Sequence, residues 1–345
     1  MKATTIHEFG EPDVFRWEDV PTPAPARGHV VIAVEGCGIN RYDLYLRMGA
    51  IRRDIRLPHV MGADVVGTIA AVGPDVSGWR EGQRVIAAPG FPADPVEWGF
   101  KPENQAASFA VTGTLQWGGY AQFMHMPASF IFPDESGLNP VELAAMPLVL
   151  VTAVHAVKTL GEVGPGQSVL VQAGASGSGG MCIQLAKALG ARVATTVGGP
   201  EKVSTAQACG ADLVIDYRSD PAGPGFADRV LDWTGGRGVD VVIDNVGASV
   251  FEDNLRCLKL AGIFVNFGLV GGMKGTLNFR DLFFRQHQLR GSMMGSLDEF
   301  RFGLDLLRQR RIKPILDRVF PLRDAAAAHR YIDSRQVRGK VVLTP

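Results

Sequence analysis

The first third of the chain alternates short apolar runs with Gly and Pro. Three of these runs, at 30–40, 63–73 and 83–88, have the length and the boundaries of strands. Helical periodicity is scarce before residue 135, so we expect a β-rich domain here. The stretch 89–109 is polar, Pro-rich and without a period, and it predicts a long surface lobe.

The pattern changes near residue 140, where an apolar segment with helical spacing begins at 142 and runs to 160. After it, short buried runs alternate with helical segments, which is typical of βαβ units. The predicted strands are 168–173, 192–197, 212–216, 239–244, 262–268 and 288–294. This alternation predicts an α/β domain with a doubly wound parallel sheet and helices on both faces.

The last fifty residues do not fit into that sheet. They predict an amphipathic helix from 298, a strand at 317–320, a helix at 323–334 and a closing strand at 339–343. The simplest interpretation returns the C-terminus to the first domain. We therefore expect a β-rich domain made of 1–135 and 298–345, a cofactor domain made of 136–297, and a cleft between them.

Composition and charge narrow the function. The chain has 345 residues, of which 46% are hydrophobic and 20% charged, and this balance excludes extensive disorder. Lys plus Arg and Asp plus Glu number 35 each, so no overall field attracts polyanions, and we expect a small-molecule partner and no nucleic acid. The first residues lack an apolar signal region, and no run is long enough to span a membrane, so we expect a cytoplasmic protein.

The four cysteines are scattered. They are Cys37, Cys182, Cys209 and Cys257, at least 27 positions apart. This spacing excludes a local Cys-x-x-Cys metal or redox motif, and we do not expect a disulfide framework.

The strongest chemical motif follows the run at 168–173. The segment AGASGSGG places Gly174, Gly177, Gly179 and Gly180 between a buried strand and a helix. Backbone N–H groups at such a helix start bind a dinucleotide pyrophosphate, and side chains would block the approach. We therefore expect Gly174, Ser176, Gly177, Ser178 and Gly179 to contact a cofactor. A nucleophile elbow is the rival interpretation, but its second glycine is replaced by Ser178.

The next strand end indicates which dinucleotide is bound. An NAD-selecting fold carries Asp or Glu there, whereas this strand runs into Gly198 and Gly199. Lys202 and Tyr217 are expected near a 2′-phosphate, so NADP(H) is favoured over NAD(H), while Glu201 keeps NAD(H) open.

Further cofactor contacts are expected at the carboxyl ends of later strands and at the start of the domain. These residues are Thr152, Asn245, Val246, Phe267 and Gly268.

Several motifs together resemble one known family. They are GQSVLVQAGASGSGGMCIQLAK (166–187), GCGINRYDLYLRMG (36–49), MGADVVGTIAAVG (61–73) and the closing GKVVL. The chain resembles the medium-chain dehydrogenase/reductase superfamily and, within it, the zinc-independent quinone oxidoreductases. The resemblance implies a GroES-like catalytic domain beside a Rossmann cofactor domain. The family's catalytic zinc ligands would fall at Asn40, Ala63 and Leu150, so we expect no zinc.

The resemblance also implies roles in the first domain. Asn40 would donate a hydrogen bond to a substrate carbonyl or hold the nicotinamide, and Tyr45 would donate a hydrogen bond or a proton. Asp43 is expected to orient Asn40, Arg47 or the backbone, since it is ionised at neutral pH unless strongly buried.

The expected function is NADP(H)-dependent, zinc-free reduction of a quinone or an α,β-unsaturated carbonyl compound, because a conjugated acceptor delocalises the charge that zinc would otherwise stabilise. An alcohol dehydrogenase-like enzyme, an enoyl thioester reductase, and a non-catalytic structural or RNA-binding protein of zeta-crystallin type stay open. The apolar run GIFVNFGLVGG resembles the family's pairing segment, so we expect a homodimer or a tetramer.

Overall fold

The computed structural model describes residues 1–219 and 225–345. The strands, in chain order, are β1 (Lys2–Ile6), β2 (Phe15–Asp19), β3 (His29–Ile39), β4 (Asp64–Val72), β5 (Arg84–Ala87), β6 (Gly90–Pro92), β7 (Phe109–Val111), β8 (Phe123–Pro127), β9 (Ile131–Pro133), β10 (Ser168–Val171), β11 (Arg192–Val197), β12 (Leu213–Asp216), β13 (Val239–Asp244), β14 (Leu258–Asn266), β15 (Gln288–Gly291), β16 (Leu316–Pro321) and β17 (Lys340–Thr344).

The α-helices, in chain order, are α1 (Arg41–Arg47), α2 (Pro140–Ala144), α3 (Pro147–Ala153), α4 (Gly177–Ala188), α5 (Val203–Ala208), α6 (Phe226–Trp233), α7 (Phe251–Cys257), α8 (Phe279–Phe284), α9 (Leu297–Arg308) and α10 (Ala325–Asp333). A π-helical stretch, Val154–Leu160, continues α3. No helix in the described part of the chain is both long and apolar enough to cross a membrane.

The chain divides into two compact units. One comprises Met1–Leu148 and Pro314–Pro345, and the other comprises Val149–Lys313. Both borders lie later in the chain than residues 135 and 297, which are the borders that the sequence pattern predicts. The first moves because α2 packs on β3, with Gly36 facing Ala144. The second moves because α9 packs on α3, with Gly303 against Leu150.

The first unit is built around an antiparallel sheet in the order β16-β17-β3-β4-β5-β9, with β8 also pairing with β3. β17 pairs with β3 in antiparallel register, so the C-terminal strand completes the sheet that the N-terminal part begins. The pair β16 and β17 is parallel. This is the β-rich architecture expected for a GroES-like domain.

The second unit has a parallel sheet in the order β12-β11-β10-β13-β14-β15. The order places β10 at the centre, where the chain reverses direction across the sheet, and this is the Rossmann arrangement. Its core is made of aliphatic residues from the strands and of Ala227 and Val230 from α6. The α/β fold class expected from the sequence, with a GroES-like and a Rossmann domain, is confirmed.

Three local predictions were wrong. The apolar segment 142–160 is not one helix, because Pro147 interrupts it and the stretch after Ala153 is π-helical. The strand predicted at 262–268 begins earlier, at Leu258, directly after the helix that ends at Cys257. The stretch 89–109 is not wholly a surface lobe: β6 pairs with β7, and buried Phe91 stacks on Phe130 with ring centroids 4.6 Å apart.

Candidate functional site

Asn40 lies at the junction between β3 and α1. It is the residue before the first helical turn, in an extended conformation, and its backbone N–H donates to Asp43 Oδ2 over 2.7 Å. Asp43, at the third position of the helix, thereby satisfies a helix-start donor that has no partner within the helix. This contact joins Asp43 to Asn40, the residue that it is expected to orient.

Three strands then bring two further side chains to Asn40. Lys340 at the start of β17 donates from Nζ to Asn40 Oδ1 over 2.5 Å and to Asp64 Oδ2 over 2.9 Å. Asn40 Nδ2 donates to the same Asp64 oxygen over 2.9 Å. Asp64 Oδ1 accepts from the backbone N–H of Leu148 over 2.7 Å. We call Asn40, Asp43, Asp64 and Lys340 the polar cluster.

Burial changes the chemistry of Asp43. The side chain is about 1% exposed, and burial raises the pKa of the carboxyl to about 7, although the Asn40 N–H and the Lys340 charge lower it and Asp64 raises it further. Asp43 is strongly buried, so the exception to its ionisation applies and the carboxyl titrates near neutral pH.

Tyr45 lies further along α1 and is half-buried. Burial raises the pKa of its hydroxyl, and Arg41 opposes that effect. Tyr45 stays protonated at neutral pH and can donate a hydrogen bond. Among the described residues, no hydrogen bond links Tyr45 to the polar cluster.

The glycine loop joins β10 to α4 in the other unit. Ser176 is the N-cap of α4, and its Oγ accepts from Gly179 N over 3.0 Å. A Cβ on Gly179 would lie 2.3 Å from the carbonyl oxygen of Ala173, so only glycine fits between helix and turn. Gly177 and Ser178 begin the helix beside this cap. The loop therefore presents a helix start of the kind that binds a pyrophosphate.

Among the described residues, five buried polar atoms of this unit have no hydrogen-bond partner: Thr152 Oγ1, Asn245 Oδ1, Asn254 Nδ2, His287 Nε2 and Ser292 Oγ. Asn245 follows β13, and Ser292 follows β15, so both stand at carboxyl ends of parallel strands. Leaving a buried polar atom unpaired costs about 1–3 kcal/mol. Such atoms fit a polar ligand at the strand ends, as a nicotinamide dinucleotide would be.

Asn245 also ties these strand ends to the glycine loop. Its Nδ2 donates to Ser176 Oγ and to Ser178 Oγ, each over 3.4 Å. Val246 N–H donates to Asp244 Oδ1. A Cβ on Gly268 would lie 2.0 Å from Asn245 O, so the turn after Phe267 also requires glycine. The expected cofactor residues at β10, β13 and β14 thus lie on neighbouring strands.

The end of β11 is more mixed than its sequence indicated. A Cβ on Gly198 would lie 2.3 Å from the Tyr217 hydroxyl and 3.5 Å from Arg218 Nε, so Tyr217 and a cation border this position. The Glu201 carboxylate lies beside Gly199, and Asp216 Oδ1 accepts from Gly199 N over 3.0 Å. Lys202 lies in the 3-10 turn that follows. Positive and negative groups therefore both border the predicted ribose position.

An open groove of about 440 Å³ lies elsewhere in this unit, at the C-terminal end of α4. It is lined by Arg310, Arg311 and Lys313, among others, and by Lys187, which pairs with Asp212. The helix has 12 residues and is about 18 Å long, and the groove lies at the opposite end of it from the glycine loop. This groove is therefore separate from the predicted cofactor position.

Sequence reasoning missed Lys340 and the role of Asp64, although it singled out the motifs that contain them. A signal was present: each is a charged residue at the edge of an apolar strand, in GKVVL and in GADVV. A buried charge requires a partner, and here the two are each other's partner. Among the described residues, no three His, Cys, Asp or Glu side chains form a group that could hold a metal ion.

Two family models match the chain. The model for the alcohol dehydrogenase GroES-like domain covers residues 26–136, and the model for a zinc-binding dehydrogenase covers 177–309. Among curated relatives, a 2-haloacrylate reductase from Burkholderia sp is 30% identical over 100% of this chain and 99% of its own length. A quinone oxidoreductase from Rattus norvegicus is 29% identical over 99% of this chain and 97% of its own.

Solved structures agree over the whole length. The crystal structure of an NAD-dependent alcohol dehydrogenase is 34% identical, with a TM-score of 0.93, and each chain covers 100% of the other. A mycobacterial protein complexed with NADPH is 32% identical, with a TM-score of 0.84 and full coverage of both chains.

Proposed function

We propose that this oxidoreductase is a zinc-free, NADP(H)-dependent reductase of quinones or α,β-unsaturated carbonyl compounds. The proposal starts from its family, since the chain belongs to the medium-chain dehydrogenase/reductase superfamily as a quinone oxidoreductase-like member. The main support for a bound nicotinamide dinucleotide is the set of unpaired buried atoms on Thr152, Asn245 and Ser292. A dinucleotide would satisfy them, and no residue of the described chain does so.

The substrate class is supported by the relatives. A 2-haloacrylate and a quinone share one feature, a carbon–carbon double bond conjugated to a carbonyl group. NADPH, when bound, supplies the hydride that adds to the β-carbon of such an acceptor. The negative charge then resides on the carbonyl oxygen, and one proton completes the reduction. Hydrogen-bond donors suffice to stabilise this delocalised charge.

The residues proposed for that role lie in the GroES-like unit. Asn40 uses one Nδ2 hydrogen for Asp64, so the second is left to donate to a carbonyl oxygen. The protonated Tyr45 hydroxyl is the second donor. Asp43, with a pKa of about 7, holds the backbone of Asn40 in place.

A preference for NADP(H) is proposed from the cations at the end of β11. Arg218 borders Gly198, and Lys202 follows in the next turn. The mycobacterial structure with NADPH supports the same choice. Titration of the protein with NADPH and NADH tests it, with Arg218→Ala expected to weaken NADPH binding more than NADH binding. Equal or tighter NADH binding by the unaltered protein would reject the preference.

The main test is turnover. NADPH oxidation is followed with a panel of quinones and enones, with simple ketones as the comparison, and zinc is measured by elemental analysis of untagged protein. We expect turnover with conjugated acceptors, little with simple ketones, and no stoichiometric zinc. Turnover confined to alcohols and simple ketones, lost on chelation, would replace this proposal with an alcohol dehydrogenase.

That second candidate is favoured by one observation, the 34% identity to an NAD-dependent alcohol dehydrogenase. Tight cofactor binding with no turnover across the panel would instead indicate a non-catalytic, cofactor-binding protein.

We also propose a homodimer formed through the second unit. β15 is an edge strand of its sheet, and the neighbouring α8 exposes Phe279, Phe283 and Phe284. Exposed apolar side chains beside an unpaired edge mark an interaction surface. Analytical ultracentrifugation should show a dimer that dissociates in Phe283→Glu/Phe284→Glu and persists in Val96→Glu, a change of an exposed residue in the other unit.

A further inference from the structure

The register of three strands places Lys340 beside Asn40. Val341 of β17 pairs with Ile39 of β3, and Gly38 of β3 pairs with Asp64 of β4. Lys340 and Asp64 therefore flank the end of β3 from either side, although they are 276 residues apart in the chain. Gly38 leaves room for them, since a Cβ there would lie 3.1 Å from Asp64 Cβ and 2.2 Å from Ala144 O.

The contacts among the three side chains are directional. The Asn40 carboxamide turns its oxygen to the Lys340 ammonium and its nitrogen to the Asp64 carboxylate. Rotating the amide by half a turn would set its NH₂ against the ammonium and its oxygen against the carboxylate. Both new contacts would be repulsive in a buried site, so only one orientation is compatible with this ion pair.

Stability alone does not account for the ion pair. The Lys340 and Asp64 side chains are 6% and 0% exposed, so both charges are removed from water. Burial of such a pair contributes little net stability compared with apolar residues of the same volume, although removing one partner is costly. What the pair does provide is a defined direction for the Asn40 amide.

We propose that Lys340 is a positioning residue for the reduction: with Asp64, it holds the Asn40 carboxamide so that its remaining Nδ2 hydrogen is fixed for the substrate oxygen. Lys340 acts through Asn40 and does not itself touch the substrate. This inference rests on the proposed function, because it assigns a purpose to the Asn40 amide in that reaction.

The test removes both charges together. Lys340→Met/Asp64→Asn leaves no unpaired buried charge, and Lys340→Arg keeps the cation. The control Lys2→Met/Asp19→Asn makes the same changes in an exposed ion pair of the same unit, with an N–O distance of 2.7 Å. For each variant, kcat and KM are measured with an enone and NADPH, the melting temperature is recorded, and the Asn40 side-chain amide signals are followed by NMR. Those signals are identified by their loss in Asn40→Ala.

In the double variant we expect kcat to fall about 10- to 100-fold while the KM for NADPH stays unchanged, since a misplaced donor slows the chemical step. The Asn40 amide signals should shift and exchange faster with solvent. Lys340→Arg should retain the wild-type amide signals, and the control should match wild type throughout. A purely structural role would lower the melting temperature without moving kcat in the folded protein.

Wild-type kcat in the folded double variant, or unchanged Asn40 amide signals, would overturn the proposal. If the unaltered protein fails to reduce any quinone or enone, the proposed function falls. The amide signals still decide in that case whether Lys340 orients Asn40, so the two failures are distinguishable.

Discussion

The polar cluster of the GroES-like unit and the strand ends of the Rossmann unit differ in whether their buried polar groups have partners. In the polar cluster, Lys340, Asp64 and Asn40 satisfy one another, and Asp43 satisfies the backbone of Asn40. In the described part of the Rossmann unit, buried polar atoms of Thr152 in α3 and of Asn245 and Ser292 at strand ends have no partner. In the first arrangement the charges are paired without a ligand, and the one Asn40 Nδ2 hydrogen that is left over has its direction fixed in advance. The second is incomplete and gains from a polar ligand.

The largest expected effect concerns the paired charges of the polar cluster. Lys340→Met alone would leave the Asp64 carboxylate buried without its cation, and we expect the free energy of unfolding to fall by about 3–5 kcal/mol. Urea denaturation measures it. Adding Asp64→Asn should restore most of the loss. A single variant as stable as wild type would show that the pair is not truly desolvated.

The next effect concerns the glycine loop. In Gly179→Ala, the new Cβ would overlap the Ala173 carbonyl oxygen, so the start of α4 must shift. We expect NADPH affinity to fall by at least about tenfold, or about 1.4 kcal/mol, measured by isothermal titration. Gly164→Ala is the control, because a Cβ there meets nothing within 4 Å. Equal affinity in both variants would mean that α4 does not hold the cofactor.

A change of about 1 kcal/mol in the free energy of unfolding with pH tests the burial of Asp43 in the polar cluster. The pKa of Asp43 is about 7 in the folded chain and about 3.9 when unfolded, so the folded state binds more protons between these values and stability falls as pH rises through them. Between pH 6 and pH 8, wild type should lose about 1 kcal/mol relative to Asp43→Asn. Urea unfolding across this range checks it. Parallel curves would contradict the burial effect.

The smallest effect concerns an unpaired buried atom of the Rossmann unit, Thr152 Oγ1. Thr152→Val keeps the shape but removes the unpaired Oγ1, so the cofactor-free protein should be as stable as wild type or more stable by up to about 1 kcal/mol. The rise in melting temperature on adding NADPH should be smaller than in wild type. An unchanged rise would show that Thr152 does not contact the cofactor.

Local pattern was enough for most elements of the Rossmann unit. The runs at 192–197 and 239–244 are β11 and β13 with the same bounds, because a buried parallel strand is a continuous apolar run whatever surrounds it. The prediction of one helix over 142–160 was wrong, because apolar spacing alone does not indicate the interruption at Pro147 or the π-helical stretch. The short pair β6 and β7 failed because its pairing joins residues some twenty positions apart.

By itself, the sequence determined the two-domain α/β class and the glycine loop, since each is written in neighbouring positions. Asn40, Asp43 and Tyr45 are predictions that come from the family resemblance of the segment containing them. Only the tertiary structure decided what surrounds Asn40. Lys340 and Asp64 reach it through the register of β17, β3 and β4, and no local pattern encodes a contact between residues 300 positions apart. Hydrophobic periodicity predicts which residues form strands, whereas pairing across the sheet selects which charges meet.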